Sequence, residues 1–332
     1  MSEGGQLMAL PSYRFCVLGG VSLGIAVSMA FAPSAGLTTL LWIAVVSFAV
    51  AIALFLAAIT KVLFGAESFS FLHYQLAALA STSALLMAMH APLLPALDLL
   101  ALTLAIAQAV GRIGCAGAGC CHGRPFRIGI RYDDTHVARH WSGARLFPVQ
   151  WIESATLLLI AIAAASKIGG APGSAFVLYA TSYAVARFTL ELFRGDVRPQ
   201  LAGLSEAQWI CLLTSIAVAT WQRGFTIVIA AMLIVAALFV HRAHRIDLDT
   251  LARALFTARA SDAVAEAAGV RISHGTTAGA EHYTISAPHA MTARDARSLA
   301  ALVRDLAHPD HTLELVAGNG GIYHLVVGRA SA

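Results

Sequence analysis

Charge is what this chain has least of. Asp, Glu, Lys and Arg make up 12% of its 332 residues, against about 25% in soluble domains. Hydrophobic residues reach 58% and the mean hydropathy is +0.73. That balance excludes a water-soluble globule for most of the chain, which must be shielded by lipid. Cysteine is also scarce: the five present form no C-x-x-C pair, which excludes a disulfide framework and a zinc-ribbon arrangement. Six histidines near the C-terminus (His274, His282, His289, His308, His311 and His324) lack metal-ligand spacing and read as surface residues. No metal and no other cofactor is expected. A cleavable signal peptide is missing as well, since the early apolar run has no small-residue cleavage site and reads as a first membrane span.

The charge that is present is unevenly spread. Residues 1–240 carry 13 Lys+Arg and 9 Asp+Glu, while residues 241–332 carry 9 of each. The composition shift near His241-Arg242 divides a membrane domain, 1–241, from a soluble tail, 242–332. Six arginines gather between Arg112 and Arg145 (Arg112, Arg124, Arg127, Arg131, Arg139, Arg145). They lie between spans without interleaved aromatics, so nucleic acid is excluded and anionic membrane lipid is the expected partner.

A helix needs about 20 apolar residues to cross a bilayer. Runs of that order occur at 15–31, 38–60, 74–93, 94–111, 149–166, 174–194, 207–222 and 225–241. The expected fold is therefore an all-α polytopic membrane protein of seven or eight transmembrane helices with a small soluble α/β domain at its C-terminus. The count turns on Gln222-Arg223-Gly224, which either separates two spans or kinks one. The tail pattern predicts a helix over 246–268, a strand over 282–286, a helix over 292–306, and strands over 312–317 and 321–327 around Gly318-Asn319-Gly320.

The chemistry concentrates in Gly111-Arg112-Ile113-Gly114-Cys115-Ala116-Gly117-Ala118-Gly119-Cys120-Cys121-His122-Gly123-Arg124-Pro125. An arginine at the end of a membrane helix needs an anionic partner, and a glycine-rich turn lets backbone amides approach one. Arg112 is either a snorkelling charge or a phosphate ligand. Arg187, Glu191 and Arg194 are spaced to share one helix face. They form either an internal salt bridge or a phosphate clamp, for which the planar guanidinium is suited. His73, entering the third span, is either structural or a base that accepts a thiol proton. Cys115, Cys120, Cys121 and His122 stand as metal ligands, a Cys115–Cys120 disulfide or packing residues. Cys16 and Cys211 lie in apolar runs and read as packing residues.

Several ordered blocks now resemble a known family, the prolipoprotein diacylglyceryl transferases of the bacterial inner membrane. They are Ser70-Phe71-Leu72-His73, Gly111-Arg112-Ile113-Gly114, Gly123-Arg124-Pro125 and Pro148-x-Gln150-x-x-Glu153. Gly173-Ser174, Tyr183-x-x-x-Arg187-Phe188-x-x-Glu191-x-x-Arg194 and Ser205-Glu206-Ala207-Gln208 follow in order, so the resemblance runs from about 65 to 220. It implies transfer of diacylglyceryl from phosphatidylglycerol to the thiol of a lipobox cysteine in a prolipoprotein, giving a thioether and glycerol phosphate. By resemblance, Arg112 and Arg187 hold the phosphate and stabilise the departing charge, and His73 activates the thiol. Glu191 orients Arg187 and Gly123 shapes the loop. The implied substrate-binding positions are Gly114, Cys115, Cys120, Gly123, Glu191 and Arg194, around the catalytic trio His73, Arg112 and Arg187.

The chain departs from the family pattern at three places. His73-Tyr74-Gln75 stands where His-Gly-Gly is usual, Gly114-Cys115 where Gly-Asn is usual, and Cys120 where an acidic residue is usual. The alternative reading is accordingly a divergent or non-catalytic lipid-binding, thiol-bearing membrane module with another acceptor. Topology sets up a second tension. The positive-inside rule would put the arginine-rich loop in the cytoplasm, whereas the resemblance turns it outward. Arginines committed to substrate do not count as topology signals, and the outward orientation is expected.

Overall fold

The computed structural model describes residues 11–64, 71–133, 135–141, 144–196, 198, 200–222 and 225–242, and in the tail 265–267, 270–277, 280–286, 296–297, 299–301, 303–304, 311–318 and 322–330. The chain divides into two compact units. One comprises 1–118, 149–192 and 198–243, and the other 119–148, 193–197 and 244–332.

The first unit is helical: α1 Pro11–Phe31, α2 Thr39–Phe64, α3 Phe71–Ala88, α4 Leu93–Ala118, α5 Val149–Ala165, α6 Ser174–Glu191, α7 Glu206–Gln222 and α8 Phe225–Arg242. Within 12–31, 39–64, 71–88 and 93–118, α1 to α4 are long and apolar enough to cross a membrane, and Val149–Ala165 and Thr226–Leu238 are shorter apolar helices. The expected run 207–241 is two helices, and Arg223-Gly224 between them lies outside the described residues.

α4 is the centre of this unit. Its apolar window is 72% buried against 17–22% for α1 to α3, whose outer faces carry exposed residues such as Leu40, Leu54 and Val62. Small residues let α1 approach it. A methyl group at Gly20 would lie 2.8 Å from the Ala107 carbonyl oxygen, and one at Gly24 would lie 2.6 Å from that of Thr103. Such spacing is how helices associate where lipid supplies no hydrophobic drive. Polar pins supplement the packing. The Trp42 indole N–H donates to Ser28 Oγ at 3.2 Å, and Ser154 Oγ donates to the Ala109 carbonyl at 2.7 Å. Asp98 of α4 accepts the backbone N–H groups of Gly173 at 2.7 Å and Phe176 at 2.8 Å, at the start of α6. A carboxylate is favoured at that end of a helix.

Two boundaries differ from the sequence expectation. α4 runs on to Ala118, so Gly111, Gly114 and Gly117 are helical rather than part of a glycine-rich turn. The left-handed turn begins at Gly119 (φ +71°) and Cys121 (φ +56°). Gly114 instead admits α1, since a methyl group there would come within 2.7 Å of Cys16 Cβ. α6 stops at Glu191, so Arg194 is off the helix and does not share its face.

The second unit holds β1, Pro125–Ile130, and the tail. The tail forms a five-stranded antiparallel sheet of β4 Ala265–Ala267, β5 Val270–Thr277, β6 Ala280–Ser286, β7 His311–Ala317 and β8 Tyr323–Ala330, in the order β4-β5-β6-β8-β7 (β2, Gln200–Leu201, and β3, Leu204–Ser205, make a small hairpin in the first unit). Ile272, Tyr283, Ile285 and Leu325 are its buried residues, joined by Leu299 and Val303. The described residues between 296 and 304 are helical, within the expected 292–306. Two expectations need correction. Residues 265–267 are strand and not helix, and β5 lies where no strand was expected. Its Arg-Ile-Ser-His-Gly-Thr-Thr sequence alternates weakly, so pairing rather than pattern defines it. The rest of the expected first helix, 246–264 and 268, and Asn319-Gly320 lie outside the described residues.

Candidate functional site

In the first unit, Glu153 is the hinge of the polar chemistry. It sits one turn into α5, where the rest of the helix is uncharged, and its side chain is 1% exposed. A buried carboxylate needs compensation, and three groups converge on it. Arg112 of α4 places Nε 2.9 Å from Oε2. Arg187 of α6 brings Nε within 3.7 Å of Oε1. Tyr183 Oη donates to Oε1 at 2.9 Å. Arg187 also pairs with Glu191 one turn further along α6, and Glu191 Oε1 lies 3.6 Å from Nε of Arg198. Glu153 thus links Arg112 to Arg187, and Arg187 links on to Glu191, in one chain of ion pairs.

A second polar layer lies beneath it. Gln75 Nε2 donates to Tyr179 Oη at 2.7 Å, Tyr179 Oη donates to Gln108 Oε1 at 3.2 Å, and Gln108 Nε2 donates back to Gln75 Oε1. Each group donates once and accepts once, so the ring closes. Gln108 is one turn before Arg112, and Tyr179 one turn before Tyr183, whose ring stacks on it at 5.8 Å. Gln75, one of the departures from the family pattern, thus belongs to a satisfied network. His73, in the first turn of α3, pairs through Nε2 with Glu206, which opens α7. Cys115 is buried in α4.

The remaining predicted residues fall in the second unit. Gly123 bridges antiparallel to Arg194, with the Arg124 N–H donating to the Phe193 carbonyl at 2.9 Å and the Gly195 N–H to that of His122 at 3.0 Å. A methyl group at Gly123 would meet Phe147, 2.8 Å from its Cβ, so the close crossing needs glycine. Arg194 makes a two-pronged pair with Asp196, at 2.8 and 2.9 Å. Cys120 is buried and Cys121 half-buried, and none of the five cysteines is in a disulfide, so the Cys115–Cys120 disulfide does not form. At the exposed turn after β1, Asp133 accepts from Thr135 Oγ1 at 2.5 Å and the Thr135 N–H at 2.9 Å and lies 2.6 Å from His136 Nδ1. The Thr135 hydrogen bonds, then His136, hold its pKa down at about 2.

Glu153, Tyr183, Gln108, Tyr179 and Glu206 received no site role from sequence. A signal for Glu153 existed: it is the lone charge in an apolar run, and such charges are paired.

The chain matches the family model described as prolipoprotein diacylglyceryl transferase over residues 6–223. It is 38% identical over 124 residues to the phosphatidylglycerol–prolipoprotein diacylglyceryl transferase of Clostridium tetani, covering 36% of this chain and 49% of that protein. It is 34% identical over 120 residues to phosphatidylglycerol–prolipoprotein diacylglyceryl transferase 2 of Clostridium perfringens, covering 35% of this chain and 46% of that one. The chain thus spans about half the length of the curated relatives it matches.

Proposed function

The chain belongs to the prolipoprotein diacylglyceryl transferase family, and from that premise we propose that it transfers diacylglyceryl from phosphatidylglycerol to a lipobox cysteine thiol. The observation that carries the proposal is the buried cluster on Glu153. Three arginines (Arg112, Arg187, Arg198) stand against two carboxylates (Glu153, Glu191), which leaves one formal positive charge. A phosphodiester carries one negative charge, so a phosphatidylglycerol headgroup would neutralise the cluster. A zwitterionic headgroup would bring its own cation and gain less.

In the proposed reaction the acceptor thiol gives its proton to His73, and the sulfur attacks the glyceryl carbon that bears the phosphate. A carbon–sulfur bond forms, the carbon–oxygen bond breaks, and glycerol phosphate leaves with the electron pair. Arg112 and Arg187, held apart and aimed by Glu153, meet the charge gathering on the departing phosphate, where fixed donors act without reorganising. Glu191 and Tyr183 orient Arg187 and Glu153, and Glu206 orients His73. Gly123 shapes the outer loop, in which Cys120 lies and which bridges to Arg194 after α6. Gly114 and Cys115 stand one turn or less beyond Arg112 on α4, the end of the helix a bound headgroup would face.

We place the protein in the bacterial inner membrane as a multi-pass protein of seven or eight spans, the shorter helices α5 to α8 completing the four long ones, with the signature loop outward and the tail soluble. The reading is tested by transfer of labelled diacylglyceryl from phosphatidylglycerol to a lipobox peptide. Transfer lost in Arg187→Ala and in Arg112→Ala supports it. Absence of transfer by the wild-type protein, with phosphatidylglycerol still bound, overturns it in favour of a divergent module. Cysteines at 115 and 120, where the family usually carries Asn and an acid, favour that second reading, and Cys120→Ser distinguishes them.

A further inference from the structure

The arginine-rich loop has chemistry that the cluster on Glu153 does not use. Residues 119–148 carry five arginines (Arg124, Arg127, Arg131, Arg139, Arg145) against Asp133 and Asp134. Arg131, Arg139 and Arg145 are exposed. The same stretch exposes apolar side chains: Ile128 is 76% and Phe126 44% accessible, two residues apart on β1 and so on one face of the strand. Behind them lies an aromatic stack. Phe126 meets Phe147 edge-on at 5.1 Å, Phe147 stacks on Phe193 at 4.9 Å, and the Arg124 guanidinium sits 5.2 Å from the centre of the Phe193 ring. The Arg145 carbonyl accepts the Phe126 N–H at 2.9 Å, which ties Arg145 to the strand.

Water is a poor environment for an exposed Ile128 beside Phe126, and the same stretch presents exposed positive charge at Arg131, Arg139 and Arg145. One environment satisfies both: an anionic bilayer surface, where apolar side chains enter the acyl boundary and arginines meet headgroup phosphates. In sequence, Phe147 comes two residues before α5 and Phe193 two residues after α6. We infer that β1 is an interfacial anchor, with Phe126 and Ile128 inserted into the outer edge of an anionic leaflet and Arg131 and Arg145 on lipid phosphates. In the outward orientation proposed above, lipid phosphates would neutralise these arginines, so they would not count as topology signals. The inference stands apart from the transfer reaction.

The test places a benzophenone amino acid at position 128 of the full chain in vesicles of phosphatidylcholine mixed with phosphatidylglycerol. Position 54, exposed on α2, is the lipid-facing control, and position 314, exposed on β7, is the control on the tail. Abundant lipid adducts at 128, approaching those at 54 and well above those at 314, are expected. They should fall by up to about fivefold per arginine removed in R131Q/R145Q, with adducts at 54 unchanged, which shows that the variant remains in the bilayer. They should fall likewise in phosphatidylcholine alone. Adducts at 128 no higher than at 314, or adducts that form only with an added lipobox peptide, overturn the inference; the second outcome assigns the strand to the acceptor. Lipid adducts indifferent to both the arginines and lipid charge overturn the anionic selectivity.

Discussion

Two carboxylates in this protein receive similar company in opposite surroundings. Glu153 in the helical unit, 1% exposed, is shared by Arg112, Arg187 and Tyr183. Asp133 in the loop, 67% exposed, takes a hydroxyl and an amide from Thr135 and the ring of His136. Water competes for every contact of the second and for none of the first. Bonds of similar length therefore differ greatly in consequence. Loss of one partner in the helical unit strands a desolvated charge, while loss of one in the loop is repaired by solvent.

The sharpest way to break the comparison is Arg187→Ala. It should lower transfer by about 10²–10³-fold, as removal of a fixed donor at a developing anion does, with Arg187→Lys restoring little because the fork geometry is lost. Comparable transfer by wild type and variant would show that the cluster is structural only. Next is Glu153→Ala, expected to cost roughly 3–5 kcal/mol of stability in a detergent unfolding titration. The double variant Arg112→Gln/Glu153→Gln should cost less than the two single changes added together. Additive losses would mean that Glu153 does not bridge. A smaller effect is expected for Gly114→Leu, about 1–3 kcal/mol from overpacking against Cys16, read by thermal unfolding. The smallest concerns Asp133. Its pKa is depressed, so the turn's stabilisation is present above the ordinary aspartate range, about 3.9, and fades as pH falls through about 2. A carboxyl titration by NMR with a midpoint near the ordinary value would remove the loop arm of the comparison.

Much of the helical unit was legible because lipid imposes length and apolarity on a helix, and every long helix falls on an apolar run. Arg112 and Arg187 were legible for the same reason, as charges that such runs do not tolerate without a role. Their meeting on Glu153 was not, since spacing within one helix says nothing of a third helix between two others. The end of α4 was missed because glycine reads as a breaker along the sequence, while at Gly114 it admits α1. β5 was missed because its identity lies in its neighbours β4 and β6, and Gln75 drew attention as a departure when its real role is to close a ring with Gln108 and Tyr179.

The Asp98 cap has a metrical consequence. Fourteen residues separate Asp98 from Arg112 on α4, and fourteen separate Gly173 from Arg187 on α6. Each interval is about 21 Å of helix, so the two helices are rulers of equal length, zeroed against each other where Asp98 receives the Gly173 and Phe176 N–H groups and read off where both arginines reach Glu153. Deleting one residue from either interval would swing its arginine through about 100° and retract it by about 1.5 Å, whereas deleting one from both would restore the axial match but leave both arginines turned away from Glu153.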